Sequence, residues 1–184
     1  MKRKIIRNIE WGILICTMLL IIVGLVALTS ATQNSDYDEL KKQILWVCIS
    51  IPVMLIIIFV DYETIAKISP VFYGIILILL VGVLFTEPIN GATSWFNIGS
   101  FSLQPAEFAK IICILMLAFV ITKIQRKGRD ELSRVPKLLL VLLTFAVPTG
   151  LIILQPDYGT ALAFVMALIF MLFAAGIKKR YIIT

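Results

Sequence analysis

The sequence contains no histidine, which excludes catalysis by a histidine base and metal ligation by imidazole. Charged residues are also scarce, at 15% of the 184 residues. The cysteines Cys16, Cys48 and Cys113 each lie inside an apolar run without a partner at ligand spacing. This placement favours small buried hydrophobic residues over metal or disulfide chemistry. No basic patch alternates with aromatic residues, so the pattern typical of nucleic-acid binding is missing too.

Long apolar runs dominate the chain: 60% of residues are hydrophobic and the mean hydropathy is +1.02. The runs are close to the length that crosses a hydrocarbon core of roughly 30 Å, and lipid requires such segments to be helical. The predicted spans are 11–31, 44–60, 68–85, 105–122, 138–154 and 160–177. The sequence therefore predicts an all-α, polytopic membrane helix bundle of about six transmembrane helices, forming a single domain over 1–184.

The first run follows a basic leader with Lys2, Arg3, Lys4 and Arg7, which is also a feature of secretory signals. The uncharged stretch is too long for a typical cleaved core, and five further runs follow it. We therefore expect 11–31 to be a retained first helix.

Basic residues are distributed unevenly between the two sets of connections. Segments 1–10, 61–67, 123–137 and 178–184 hold 14 of the 17 Lys and Arg residues. The positive-inside rule places these segments in the cytoplasm, so both termini are predicted to be cytoplasmic. Segment 123–137 is a basic loop suited to contact with anionic lipid.

The longest outer connection, 86–103, contains no Lys or Arg. Asn90-Gly91 is a strong turn signal, and Trp95 and Phe96 are residue types that rest at a headgroup interface. Two interpretations stay open: a half-inserted loop that caps the outer face, or an ordinary connector with an aromatic anchor.

Two similar motifs open the fourth and sixth predicted spans: Gln104-Pro105-Ala106-Glu107 and Gln155-Pro156-Asp157-Tyr158-Gly159-Thr160. Each combines an amide, a proline and an acid, which also suits a helix N-terminus and its dipole. Both follow an outward crossing, so both acids are expected near the outer face. Plain helix-start signals would explain one such site, but two together favour a polar pocket open to the outer leaflet.

Lys110 lies one turn deeper than Glu107, on the same helical face. A lysine there is costly in lipid, roughly 2.5–3.5 kcal/mol at the bilayer centre and less near the interface. Pairing with Glu107, or with Asp157 of the neighbouring helix, would offset that cost. Two roles stay open: a structural ion pair, or a cation that holds an anionic headgroup such as a pyrophosphate.

Together these motifs resemble the SEDS family (shape, elongation, division and sporulation), the RodA/FtsW/SpoVE-like peptidoglycan glycosyltransferases. Ser94 stands where many members carry Arg, and Ala106 replaces the usual Ser. The resemblance is carried by Asp61-Tyr62, Asn90-Gly91-Ala92, Ser94-Trp95-Phe96, Gly99, Gln104–Glu107, Lys110 and Gln155–Ala161.

The resemblance implies a multi-pass protein of the bacterial plasma membrane that joins lipid II units on the outer face with a class B penicillin-binding protein. In such a reaction a carboxylate deprotonates the acceptor hydroxyl and cations hold the departing pyrophosphate. No cofactor is evident, and a divalent cation (Mg²⁺ or Mn²⁺) stays open. The candidate substrate-binding or cavity residues are Gln104, Glu107, Lys110, Gln155, Asp157, Thr160 and Trp95.

The resemblance covers the N-terminal part of that family, whose members typically have about ten spans and carry the catalytic Asp in an outer loop after the seventh. No residue of 1–184 matches that Asp, so no catalytic residue is assigned. The chain is accordingly expected to be incomplete, or a short homologue that does not polymerise. Two alternatives stay open: a flippase for lipid-linked precursors, and a non-catalytic membrane protein that binds partners.

Overall fold

The computed structural model describes residues 10–32, 38–88, 91–99 and 101–177. Between the helices lie two short 3-10 turns and two strands. The turns are Val83–Phe85 and Arg129–Ser133, and the strands are β1 (Phe96–Ile98) and β2 (Phe101–Leu103). The helices are α1 (Trp11–Ala31), α2 (Asp38–Phe59), α3 (Tyr62–Gly82), α4 (Pro105–Gln125), α5 (Val135–Leu154) and α6 (Tyr158–Ala174). A helix thus covers each predicted apolar run, and the regular structure of the described residues is helical apart from the strand pair. The predicted leader, the basic residues after 177 and Asn90 lie outside the described residues.

Several helix ends differ from the prediction by a few residues, and two of them have identifiable reasons. Helix α2 begins at Asp38 rather than at 44, since its charged first turns form i,i+3 ion pairs, Lys41–Asp38 at 3.0 Å and Lys42–Glu39 at 3.4 Å. Helix α6 ends at Ala174 rather than at 177. There Gly176 adopts a positive φ of 74° and the amide of Ile177 donates to the carbonyl of Leu172, as in a Schellman C-cap.

The chain divides into two compact units, Met1–Asp61 and Tyr62–Thr184. In the first unit α1 packs against α2, and neither helix buries any residue. Two exposed helices of 21 and 22 largely apolar residues are incompatible with water and suited to lipid. The predicted burial of Cys16 and Cys48 is wrong for the same reason: they lie on exposed helices, whereas Cys113 is buried.

The second unit has a core centred on α4, which packs against α3, α5 and α6. Its buried face recurs every three to four residues, the spacing of one helical stripe. Phe145 of α5 and Phe164 of α6 add an aromatic contact with ring centroids 5.3 Å apart. The buried residues of α4 are Pro105, Ala106, Ala109, Cys113, Leu117, Ile121 and Ile124.

Prolines inside α3 and α5 free backbone carbonyls that side-chain hydroxyls then engage. Pro70 has no N–H for the carbonyl of Ala66, and Ser69 Oγ donates to that carbonyl at 2.7 Å. Pro148 leaves the carbonyl of Thr144 without its helical donor in the same way. Tyr73 Oη of α3 donates to that carbonyl at 2.7 Å. Both helices continue through their prolines, and the second bond ties α3 to α5.

Within the described residues, four helical segments are long and apolar enough to cross a membrane: Trp11–Ala31, Asp38–Phe59, Tyr62–Phe85 and Val135–Leu154. Helix α6 is apolar but shorter, at 17 residues. Helix α4 contains the charged residues Glu107, Lys110 and Lys123. The fold is therefore that of a helical membrane protein with several spans.

Candidate functional site

The segment between α3 and α4 forms a small antiparallel hairpin that the sequence analysis did not predict. Phe96 pairs with Leu103 and Asn97 with Ser102, and Ser102 Oγ donates to Asn97 Oδ1 at 2.9 Å. Gly99 follows β1 with a positive φ of 61°, a conformation that glycine adopts at no steric cost. The hairpin leads directly into α4 and thereby fixes where Gln104 lies.

The hairpin packs on the C-terminal end of α3. The ring of Phe96 lies in van der Waals range of Gly82, with its Cζ 3.5 Å from the position a Cβ would take. Trp95 is half-buried beside Ser94, which is 1% exposed. Ser94 Oγ donates to the carbonyl of Gln155 at 3.3 Å. The loop is therefore tied to the turn between α5 and α6, and Ser94 acts here as a buried structural contact.

Gln155 is completely buried and joins three parts of the second unit. Its Nε2 donates to the carbonyl of Leu80 at 3.0 Å, near the end of α3, while its own carbonyl accepts from Ser94. Its Oε1 has no hydrogen-bond partner among the described residues. The side chain and the backbone carbonyl of Gln155 thus tie α3 and the hairpin loop to the turn between α5 and α6, and the buried side chain is not open to a ligand.

Gln104 and Asp157 connect the two motifs directly. Gln104 is the N-cap of α4 and Asp157 the N-cap of α6. Gln104 Nε2 donates to Asp157 Oδ2 at 2.9 Å, and Asp157 Oδ1 accepts from the amide of Thr160 at 3.1 Å. We call these three residues, Gln104, Asp157 and Thr160, the cap junction. It sets the starts of α4 and α6 side by side at one end of the unit.

Glu107 and Lys110 lie just inside α4 on its exposed side. Lys110 Nζ donates to Glu107 Oε1 at 2.7 Å, and the two side chains are 35% and 54% exposed, respectively. Of the two partners considered for Lys110, the structure selects Glu107, whereas Asp157 accepts from Gln104 and from the amide of Thr160. An accessible ammonium and carboxylate thus stand one turn from the junction.

The structure therefore sorts six of the seven candidate residues into three sets, while Trp95 lies half-buried in the hairpin loop. Gln104, Asp157 and Thr160 meet in the cap junction, and Gln155 lies buried between α3 and the hairpin loop. Glu107 and Lys110 form a separate exposed pair, and within the described residues no hydrogen bond or ion pair joins their side chains to the junction. Among the charged candidates, Glu107 is exposed, whereas Lys110 and Asp157 are half-buried.

The arrangement contains groups that can bind an anion, namely two helix N-termini and one ammonium. The N-termini lie side by side, and each concentrates partial positive charge and N–H donors at its first turn. Asp157 offsets the charge at the start of α6, and Glu107 offsets the charge of Lys110 on the exposed side of α4. In the described part of the chain no three His, Cys, Asp or Glu residues cluster as metal ligands would. The divalent cation stays an untested prediction.

Sequence reasoning missed the role of Ser94 and the burial of Gln155. The signal for the hairpin was present, since Gly99-Ser100 separates two short triplets, as two-residue hairpin turns do. No signal distinguished Gln155 from Gln104, because both precede a proline at the start of an apolar run.

These features define a class: a helical, multi-span membrane protein with paired polar helix starts at one end. The sequence profile of the cell cycle proteins FtsW, RodA and SpoVE matches residues 10–184. The chain therefore belongs to the FtsW/RodA/SpoVE family, as the motifs predicted.

Individual relatives agree with the profile. The chain is 32% identical to the peptidoglycan glycosyltransferase RodA of Treponema pallidum, over 99% of its own length and 42% of the relative's. It is 33% identical to the stage V sporulation protein E of Bacillus subtilis, over 93% of its length and 49% of the relative's. The chain thus spans about half the length of the curated relatives it matches.

Solved structures show the same fold. The crystal structure of the rod shape determining protein RodA of Thermus thermophilus superposes with a TM-score of 0.82 at 29% identity, over 95% of this chain and 56% of that one. A chain of a peptidoglycan synthase complex that coordinates polymerization and crosslinking gives a TM-score of 0.80 at 29% identity, over 92% and 48%.

Proposed function

We propose that this chain is the N-terminal, substrate-handling part of a SEDS-type protein that polymerises lipid II into peptidoglycan strands in the bacterial plasma membrane. The support is the agreement of motifs, family and fold with relatives named as peptidoglycan glycosyltransferases. These names do not favour the flippase alternative. No residue of this chain is assigned as the catalytic base.

In the proposed topology all six helices cross the membrane as one transmembrane domain, with both termini in the cytoplasm. Helix α4, with 21 residues, is about 31 Å long, and α6, with 17, is about 26 Å long. Both lengths suit a hydrocarbon core of roughly 30 Å, given a slight thinning around α6. The ion pair of Glu107 and Lys110 lowers the cost of burying α4.

The observation that carries the proposal is the hydrogen bond between Gln104 and Asp157. It puts the two motifs at a single end of the unit, which the charge distribution assigns to the outer leaflet. Lipid II presents its pyrophosphate at that depth, with its prenyl chain in the bilayer. We propose that Lys110 and the helix start of α4 hold the pyrophosphate and that the cap junction positions them.

The partner in this proposal is a class B penicillin-binding protein, which would crosslink the strands that the polymerase makes. The support is family resemblance together with the structural neighbour from a peptidoglycan synthase complex. The binding surface for that partner is not assigned to particular residues.

The experiment measures binding of fluorescent lipid II to the chain in nanodiscs. Lys110→Ala is expected to weaken binding roughly tenfold, since a charge-assisted hydrogen bond contributes about 1.5 kcal/mol or more. Lys41→Ala is the matched control, because Lys41 forms a similar exposed i,i+3 pair with Asp38 at 3.0 Å. It should leave binding unchanged.

The proposal fails if the wild-type chain does not bind lipid II, or if both lysine variants bind as tightly as wild type. Polymerisation is tested separately with the product of the whole gene and a class B penicillin-binding protein, by resolving glycan strands on gels. Transfer of lipid II across liposomes without strand formation would favour the flippase instead.

A further inference from the structure

A cavity of about 480 Å³ lies at the end of the second unit opposite the cap junction. It is bounded by the first turns of α3 and the last turns of α4. The apolar part of its wall includes Ala66, Ala118 and the ring of Phe119. Its volume is typical of a pocket for a small molecule or a lipid headgroup.

The charge of this cavity is positive. Lys67, Lys123 and Arg126 line it, and Glu63 is the acid in its wall. Lys67 and Glu63 pair with each other at 3.9 Å, so their charges largely cancel. Lys123 and Arg126 have no carboxylate within 4 Å among the described residues and supply the net charge.

The cations are held above the apolar wall. Lys123 Nζ lies 5.8 Å from the centroid of the Phe119 ring, a cation–π distance. Arg126 directly follows the last turn of α4, where it can present a planar fork of donors to a phosphate. The wall thus changes from apolar to cationic towards the end of α4.

We propose that this cavity binds the phosphate headgroup of an anionic phospholipid from the leaflet at that end of the bundle. Both the position and the positive charge of the cavity favour a lipid headgroup as its occupant. The ends of membrane-crossing helices lie at the depth of lipid phosphates, and an acyl chain would cover the apolar wall, which a free anion would leave exposed. In the proposed topology this leaflet is the cytoplasmic one.

The experiment uses the full chain in nanodiscs of mixed phosphatidylglycerol and phosphatidylcholine, and native mass spectrometry after transfer to detergent measures which lipid stays bound. The wild-type protein should retain clearly more phosphatidylglycerol than phosphatidylcholine. Lys123→Gln with Arg126→Gln should reduce that preference at least roughly tenfold, because each basic residue near anionic lipid contributes to its attraction.

A matched control removes two charges from the same basic segment outside the cavity wall, Lys127→Gln with Lys137→Gln. It should keep the wild-type preference. A second variant, Ala118→Phe, keeps every charge but fills the apolar wall, and it should also lose bound phosphatidylglycerol. Inorganic phosphate and glycerol phosphate should not displace the lipid.

Several results would overturn the proposal. If the wild-type protein retained phosphatidylcholine as well as phosphatidylglycerol, the cavity would be a purely apolar groove. If the cavity variant and the Lys127/Lys137 variant lost the same amount of phosphatidylglycerol, the preference would be a diffuse electrostatic effect. Displacement of the lipid by inorganic phosphate would mean a free-anion site. Retention by Ala118→Phe at the wild-type level would show that the lipid binds elsewhere, and gel filtration confirms that each variant is folded.

Discussion

The two glutamine-proline-acid motifs read almost alike in sequence but differ in what surrounds them. In the first motif, Gln104 reaches out to the other motif and Glu107 is exposed and paired with Lys110. In the second, Gln155 is buried and Asp157 caps its own helix. The first motif thus has charged atoms that a ligand can reach. The polar atoms of the second motif form hydrogen bonds that hold α3, the hairpin loop and the start of α6 in place.

This comparison separates two effects of mutation. Changes in the second motif should reduce stability, because its polar atoms are engaged inside the protein. Changes in the Glu107–Lys110 pair should reduce ligand binding and leave stability nearly intact. Variants of the two motifs test this separation.

Gln155→Ala should lower the free energy of unfolding by about 2–4 kcal/mol, since it removes a buried hydrogen bond and leaves a cavity. Thermal denaturation in detergent, followed by gel filtration, measures the loss. Gln155→Met keeps most of the volume and should recover about half of it. A Gln155→Ala protein as stable as wild type would contradict the burial of this side chain.

Asp157→Ala should cost about 1–2 kcal/mol, because the amide of Thr160 loses its N-cap and Gln104 loses its acceptor. Asp157→Asn retains a side-chain oxygen for the cap and should cost little. The same denaturation assay compares the two variants. Equal losses would show that the negative charge of Asp157, and not its hydrogen bonding, stabilises the fold.

Lys110→Ala and Glu107→Gln should each change stability by less than about 0.5 kcal/mol, as expected for an exposed i,i+3 pair. Denaturation of both variants beside Gln155→Ala provides the contrast. Should Lys110→Ala destabilise the protein as much as Gln155→Ala, the distinction between the two motifs would be wrong.

Much of the fold could be predicted because the bilayer imposes simple rules. An apolar run must be helical and of a certain length, so all six helices lie where the runs lie. The start of α2 was missed because the helix begins before the apolar run does. Its first turns are charged, and ion pairs such as Lys41–Asp38 suit a helix that continues beyond an apolar run.

The site was less predictable because its contacts are long-range. The sequence indicated that Gln104 and Asp157 lie at the same end, but a hydrogen bond across 53 positions depends on how α4 and α6 pack. The burial of Gln155 depends on α3 and the hairpin, which no local pattern reveals. The sequence allowed Lys110 to pair with either Glu107 or Asp157, and only the tertiary structure shows that Glu107 is the partner.

The central claim is that the two motifs meet at one end of the bundle, and chemical cross-linking in membranes tests it directly. The experiment uses a chain whose three native cysteines are replaced by alanine. In that chain, the variant with Gln104→Cys and Asp157→Cys should cross-link efficiently with a short bis-methanethiosulfonate reagent. Gln104→Cys with Arg126→Cys, at opposite ends of α4, should not. No cross-link in the first pair, or equal cross-linking in both, would contradict the account.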